Sequence, residues 1–446
     1  GRAFIAVHRY REDDFQPYIF RTDNYGKSWK RIADGNNGIP ADHFVRVVRE
    51  DPDRKGLLYA GTEFGMYISF DDGANWKPFQ LNLPITPITD LAAKRGDLVV
   101  ATQGRSFWIL DDLSVLHQMN AEVEDAEYHL FDPRPVVRWV DQSGGGSRGA
   151  VGQNPPFGAI IHYKLPEGLD REDAKEVKLE ILDAGGEVLR TLSSTTPERR
   201  APSPFRKFFP ELAEPPLLDA RAGANRYVWN LALADAGLVD DAVLWGWPGG
   251  PTVPPGTYQA RLTVGEWTDT ASFEVIPDPR LEVSHEEMIA NFELAEAIWK
   301  ELTRSHDAIS RIRNLREQVN VVARRTDDEA ITEAAESMSS ALTAIEEKLH
   351  QTRAESSQDI LNFPPKIDNQ LLYLQGVVES AEGSPTEGAR QRFEELRSEL
   401  DAYVGELDAL VADQLPEFEQ LVEAAGVRLI VPGDRDRDLG QQQSVR

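Results

Sequence analysis

The chain has 446 residues and carries 48 Lys and Arg against 75 Asp and Glu, a formal charge of −27, which disfavours phosphate-rich partners and so excludes nucleic acid and anionic membrane. Cysteine is absent, so disulfides, thiolate catalysis and cysteine-based metal sites are excluded too, although this does not fix the compartment. The 41% apolar content is that of a globular chain, the length suits several domains, and no apolar run reaches the roughly 18 residues of a membrane span.

Short strand-like runs open the chain, at 4–7, 57–60 and 98–102, and each precedes a related segment. Residues 22–29 and 69–76 share the form Ser/Thr-x-Asp/Asn-x-Gly-x-x-Trp, through Thr22, Asn24, Gly26 and Trp29 and through Ser69, Asp71, Gly73 and Trp76. The two tryptophans are 47 positions apart, the length of one four-stranded propeller blade. A decayed third copy follows: Thr62, Tyr67, Asp71 and Asp72 match Thr102, Phe107, Asp111 and Asp112, but Leu113 and Leu116 stand where Gly73 and Trp76 would be.

Each residue type has a local role in such a segment. The hydroxyl and the short carboxylate or amide bond backbone groups across a turn, Gly takes a positive φ, and Trp buries an apolar plate between neighbouring hairpins. The Asp residues are therefore expected to be structural rather than catalytic. These segments resemble the Asp-boxes of BNR-repeat, sialidase-like and sortilin-like β-propellers. Residues 58–69 and 101–112 are similar to those of the sortilin-type bacterial proteins labelled glycosyl hydrolases. The resemblance implies that residues 1–122 are the terminal blades of such a propeller and that the protein is exported. A propeller closes with four or more blades, so the chain is expected to be the C-terminal portion of a longer protein, with upstream blades missing.

Residues 123–281 read as a second domain, an immunoglobulin-like or fibronectin-like β-sandwich. Its strands are expected at 159–165, 177–182, 258–264 and 271–275, with an irregular excursion at 197–216. Residues 1–283 hold 23 of the 28 Pro and 26 of the 33 Gly, and beyond them the texture turns helical. Capping boxes are expected at Ser284, Thr326 and Ser384. Apolar residues at three- and four-residue spacing run through Met288, Phe292, Ala295, Trp299, Leu302 and Ile309, and through Phe393, Leu396, Leu400, Tyr403, Leu407, Leu410 and Phe418. An antiparallel helical bundle over 282–432 and a disordered tail at 433–446 complete the expected order, mainly β and then α.

The sequence offers no cofactor motif and no metal-ligand spacing. The eight histidines are scattered, and His306, on an apolar helix seam, reads as a satisfied core residue. Gly144, Gly146 and Gly149 match a dinucleotide fingerprint only formally, because no βαβ context surrounds them; a linker loop at 143–152 is the better reading. In the propeller topology the loops opposite the Asp-boxes are 9–17, 35–44, 62–65, 82–86 and 103–106. They carry Arg105, His43, Gln103 and Phe64 as candidate ligand-binding residues, and Asp42 and Glu63 as the available carboxylate pair. A peptide or glycan held on that face without chemistry ranks first, glycoside hydrolysis second and a non-catalytic scaffold third.

Overall fold

The computed structural model describes residues 1–139, 152, 154–167, 175–196, 217–240 and 242–427. The glycine-rich loop apart from Gly152, the 197–216 excursion and the 433–446 tail lie outside the described residues.

Three small antiparallel sheets come first. β1 (Ala3–Arg9), β2 (Asp14–Thr22) and β3 (Lys30–Ala33) form one; β4 (Val45–Glu50), β5 (Leu58–Thr62), β6 (Gly65–Ser69) and β7 (Lys77–Pro78) form the next; β8 (Ile88–Lys94), β9 (Asp97–Thr102) and β10 (Phe107–Leu110) form the third. Each is a meander, with sequential strands paired. The middle sheet uses both faces. Leu58, Ala60 and Tyr67 pack towards Ile19 and Ile32 of the first sheet, whereas Tyr59, Met66 and Ile68 pack towards Leu91, Leu98 and Val100 of the third. This is strand alternation used twice over, and it stacks the three sheets side by side. The outward faces of the flanking sheets keep apolar residues in water: Ile5 and Val7 on β1, Phe107 and Ile109 on β10.

Two one-turn helices, α1 (Ser114–Gln118) and α2 (Ala121–Asp125), lead into two further sheets. β11 (His129–Leu130), β13 (Ala159–Leu165) and β16 (Gly223–Trp229) make the smaller. β12 (Val136–Arg138), β18 (Trp267–Pro277), β17 (Gly256–Val264), β14 (Val177–Asp183) and β15 (Val188–Ser193) make the larger, with β12 joining β18 in parallel. One apolar core lies between these paired sheets, centred on Trp229, which is fully buried against Tyr258 and Phe273 and donates its indole N–H to Ala232 O at 2.8 Å.

Four main helices close the chain: α3 (His285–Ala323), α4 (Glu329–Leu349), α5 (Ile367–Glu379) and α6 (Glu387–Ala424). Ser284 caps α3 with both bonds of a capping box. The other two caps fall elsewhere than expected. Asp328, not Thr326, accepts from Ala330 N and Ile331 N, and Thr386, not Ser384, accepts from Ala389 N. The second shift has a visible cause: the Asn291 amide donates to the carbonyls of Val378, Ala381 and Gly383, tying the chain before α6 to α3. Along the α3 seam Met288, Ala295, Leu302 and Ile309 are buried, while Phe292 and Trp299 pack against the paired-sheet core. The helical core also takes in Ala236, Leu238, Val239, Ala242 and Leu244 from the β16–β17 connection. His306 is buried as expected, accepting from Val239 N at Nδ1 (3.3 Å) with Nε2 3.5 Å from Asp368.

Candidate functional site

The three small sheets have two ends, and their turns differ in kind. At one end the repeated segments build matching turns. The Ser69 hydroxyl accepts from Gly73 N at 2.9 Å and Asp71 accepts from Asn75 N at 2.8 Å; Thr22 and Asn24 do the same for Gly26 N at 3.0 Å and Ser28 N at 2.9 Å. Gly26 and Gly73 have φ of 81° and 82°, and the preceding Tyr25 and Asp72 are left-handed as well. These hydrogen bonds hold Asp71 below the usual carboxylate range despite the opposing effect of burial, which makes it an acceptor inside a turn. Trp76 is 3% exposed and donates to Ile32 O across the sheet interface at 2.9 Å. Trp29 departs from the expected burial, at 41% exposed, because no described sheet lies beyond the first to cover it. In the third copy Asp112 keeps the left-handed φ of 64°, but Leu113 has φ of −82° and stands at the N-cap of α1.

The opposite end gathers loops. Glu63 N donates to Phe44 O at 3.2 Å, joining the β3–β4 connection to the β5–β6 hairpin. His43 lies between two aromatic residues, 4.8 Å from the Phe64 ring, with its Nδ1 2.8 Å from the Tyr67 hydroxyl. Burial, with the Asp42 charge nearby, pushes the Tyr67 phenol up, so the hydroxyl stays protonated and able to donate. Phe44 stacks on Tyr10 at 4.9 Å, and the Arg46 guanidinium sits over its ring at 5.2 Å. Arg46 also grips Glu63, with Nε at 2.6 Å and Nη2 at 2.5 Å from Oε2. Gln80 bridges onward, accepting from Met66 N and donating to Leu83 O and Pro84 O, and the Thr86 hydroxyl donates to Gln103 O at 3.1 Å.

The candidates therefore fall into two neighbouring groups. His43 and Phe64 form an aromatic surface over the buried Tyr67, and Asp42 lies beside His43 at 3.9 Å. Gln103 and Arg105 form the exposed tip of the β9–β10 hairpin, where Thr102 Oγ1 accepts from Arg105 N at 3.1 Å and the Trp108 indole donates to Arg105 O at 2.8 Å. Asp112, an imaginable partner for Arg105, instead lies 3.5 Å from His162. One loop divides: Asn37 donates to Gly73 O and Ala74 O, which puts it at the box turn of the second sheet, while residues 42–44 reach the opposite end. Sequence reasoning missed Arg46 and Tyr67. Both occupy alternating strand positions, and only the paired register shows which loop they support.

Among the described residues, Asp51, Asp53 and His117 are close enough to share a metal ion. The Asp51 carboxylate is already filled: it accepts from Tyr59 OH, His117 Nε2, Asp53 N and Arg54 N, bonds that hold it below the usual range against the effect of burial. This donor set describes a buried turn anchor.

No family model matches the chain, and no curated protein matches it. Two solved structures from B. thetaiotaomicron are similar in part: the extracellular domain of a putative one component system, at 9% identity, and that of a putative hybrid two component system, at 11%. Both superpose with a TM-score of 0.19, over 59% and 60% of this chain, which spans 29% of either of theirs. So loose a superposition assigns neither fold nor activity.

Proposed function

We propose that the three small sheets are blades of an exported, sortilin-like Asp-box β-propeller, and that the end opposite the boxes binds a peptide or glycan without chemistry. The observation that carries this reading is the convergence of His43 and the exposed Phe64 over the buried Tyr67, beside the Arg46–Glu63 pair, on the end that the repeat topology singles out. Clustered rings beside fixed charge suit recognition of a polar chain ligand. The apolar outward faces carrying Ile5 and Val7 and carrying Phe107 and Ile109 are the surfaces that further blades would cover in the closed ring. The paired sheets fit an immunoglobulin-like accessory domain, supported by Tyr258, whose hydroxyl reaches back to Pro254 O at 2.7 Å.

Hydrolysis draws less support. Glu63 is bound to Arg46 and Asp42 is largely solvated beside His43, so each carboxylate has its own cationic or imidazole neighbour rather than a shared scissile bond. The test is to screen the protein against a peptide array and a glycan array alongside Phe64→Ala and Arg105→Ala. Both side chains are exposed, so the melting temperature should stay unchanged while binding falls. Undiminished binding by both variants would remove this face from consideration, and turnover of a bound glycan that is lost in Glu63→Gln would restore the hydrolase reading.

A further inference from the structure

A cleft of about 720 Å3 lies between the paired sheets and α5. One wall is the 245–252 segment, and α5 side chains hold its backbone. Asn369 accepts from Trp245 N at 3.0 Å and donates to Trp245 O at 2.9 Å; Gln375 donates to Gly249 O at 2.9 Å, and Glu379 accepts from Thr252 N at 3.0 Å. Asn369 and Gln375 are themselves buried, so a rigid helix satisfies the segment's polar groups and fixes its path. Gly250 passes so close to the neighbouring backbone that a Cβ would stand 2.4 Å from Ala234 O.

This fixed segment leaves two indoles in water. Trp245 is 44% exposed and Trp247 58%, and Tyr373 of α5, lining the same cleft, is 67% exposed. The Trp247 ring edge lies against Gly249, where a Cβ would meet it at 2.9 Å, so the absent side chain sets the ring's position. Three large aromatic surfaces in a concave, preformed cleft are what a binding site requires, whereas folding alone would bury them. The polar lining is planar: Arg190 donates to Asn230 Oδ1 at 3.0 Å, and Asp235 and Glu379 stand in the same cleft.

Flat apolar rings beside planar donors and acceptors complement a pyranose, which has an apolar C–H face and a rim of hydroxyls. We propose that this cleft binds a neutral oligosaccharide, with sugar rings stacked on Trp247 and Tyr373 and hydroxyls bonded by Asn230 and Asp235. A second cleft of about 490 Å3 adjoins the first, sharing Trp245 and Tyr373 as lining and reaching Arg392, which places further contacts for a longer sugar chain beside the same rings. The formal charge of −27 disfavours an acidic polysaccharide. A proline-rich peptide also stacks on aromatic grooves, but its sparse donors leave the Arg190–Asn230 side of the cleft unused. The proposal stands apart from the reading of the propeller end, since it uses different elements.

The test is calorimetric titration of the whole chain with a panel of neutral gluco-, xylo-, manno- and galacto-configured hexasaccharides in both linkage anomers, with decaproline as the competing class. At least one hexasaccharide should saturate; Trp247→Ala should weaken it about fivefold or more at unchanged melting temperature, and Trp247→Phe should recover most of the loss. Binding of decaproline alone, silence from the whole panel, equal affinity in Trp247→Ala, or a sugar affinity lost in Phe64→Ala rather than Trp247→Ala would each overturn the proposal.

Discussion

Position 113 decides whether the box turn repeats. Gly26 and Gly73 follow a left-handed residue with a second positive φ, which closes the turn; Leu113 follows the left-handed Asp112 with φ of −82° and enters a helix instead. A side chain there makes the second positive φ costly, so the chain leaves the repeat. The two tryptophans allow a matched test. Trp76→Ala should cost about 3–5 kcal/mol through the cavity it leaves, and Trp29→Ala much less, measured by denaturant titration; equal losses would mean that Trp29 is covered in solution. Asp51 gives a test of sign. Its carboxyl is held below its ordinary value in the folded protein, so its contribution is complete above the unfolded value of about 4 and is lost as pH falls through the lower folded value. Asp51→Asn should therefore be less stable by about 1–3 kcal/mol at neutral pH, with the gap narrowing below about pH 4; a gap that widens on acidification would contradict the assignment. The box roles of Ser69, Asp71 and Gly73 were legible in the sequence because hydroxyl, carboxylate and glycine act within one turn. The bond from Asn37 to that turn was not, since it joins residues brought together only by sheet stacking.

Strands and helices were legible where the pattern is local. β13 and α3 follow the expected runs, because alternation and amphipathic spacing are set by which face is buried. Caps were less so, as a capping box needs only four residues and several registers of the same segment satisfy it. Around α6 the choice falls to Asn291, more than 90 residues away in sequence from Thr386, through its bonds to the preceding carbonyls. Thr386→Ala should therefore cost about 0.5–2 kcal/mol and Ser384→Ala close to nothing, read from thermal melts of the two variants. The reverse order would return the cap to Ser384.

At the scale of the molecule, the helical core does not end where the helices do. Ala236, Leu238, Val239, Ala242 and Leu244 are buried in it, although they belong to the connection between two strands. A fragment spanning 284–427 would expose the apolar sites those residues fill, and it should bind a hydrophobic dye and melt without cooperativity, whereas a fragment spanning 123–427 should melt cooperatively. A sharp transition in the shorter fragment would show that the helices are self-sufficient. The cleft with Trp245 and Trp247 was hidden for the same reason. The run Trp-Gly-Trp-Pro-Gly-Gly at 245–250 is visible as a motif, but its orientation depends on α5, more than 100 residues later. The edge of β1 that no described strand pairs with, and the exposed Ile5 and Val7 on the same strand, bear on colloidal behaviour. An open strand edge is a template for the next molecule, and here the main restraint on such contact is mutual repulsion between highly anionic particles. Suspensions of this protein should therefore stay dispersed in dilute neutral buffer and begin to scatter light as the pH approaches its isoelectric point near 4.7 or as salt shortens the range of that repulsion.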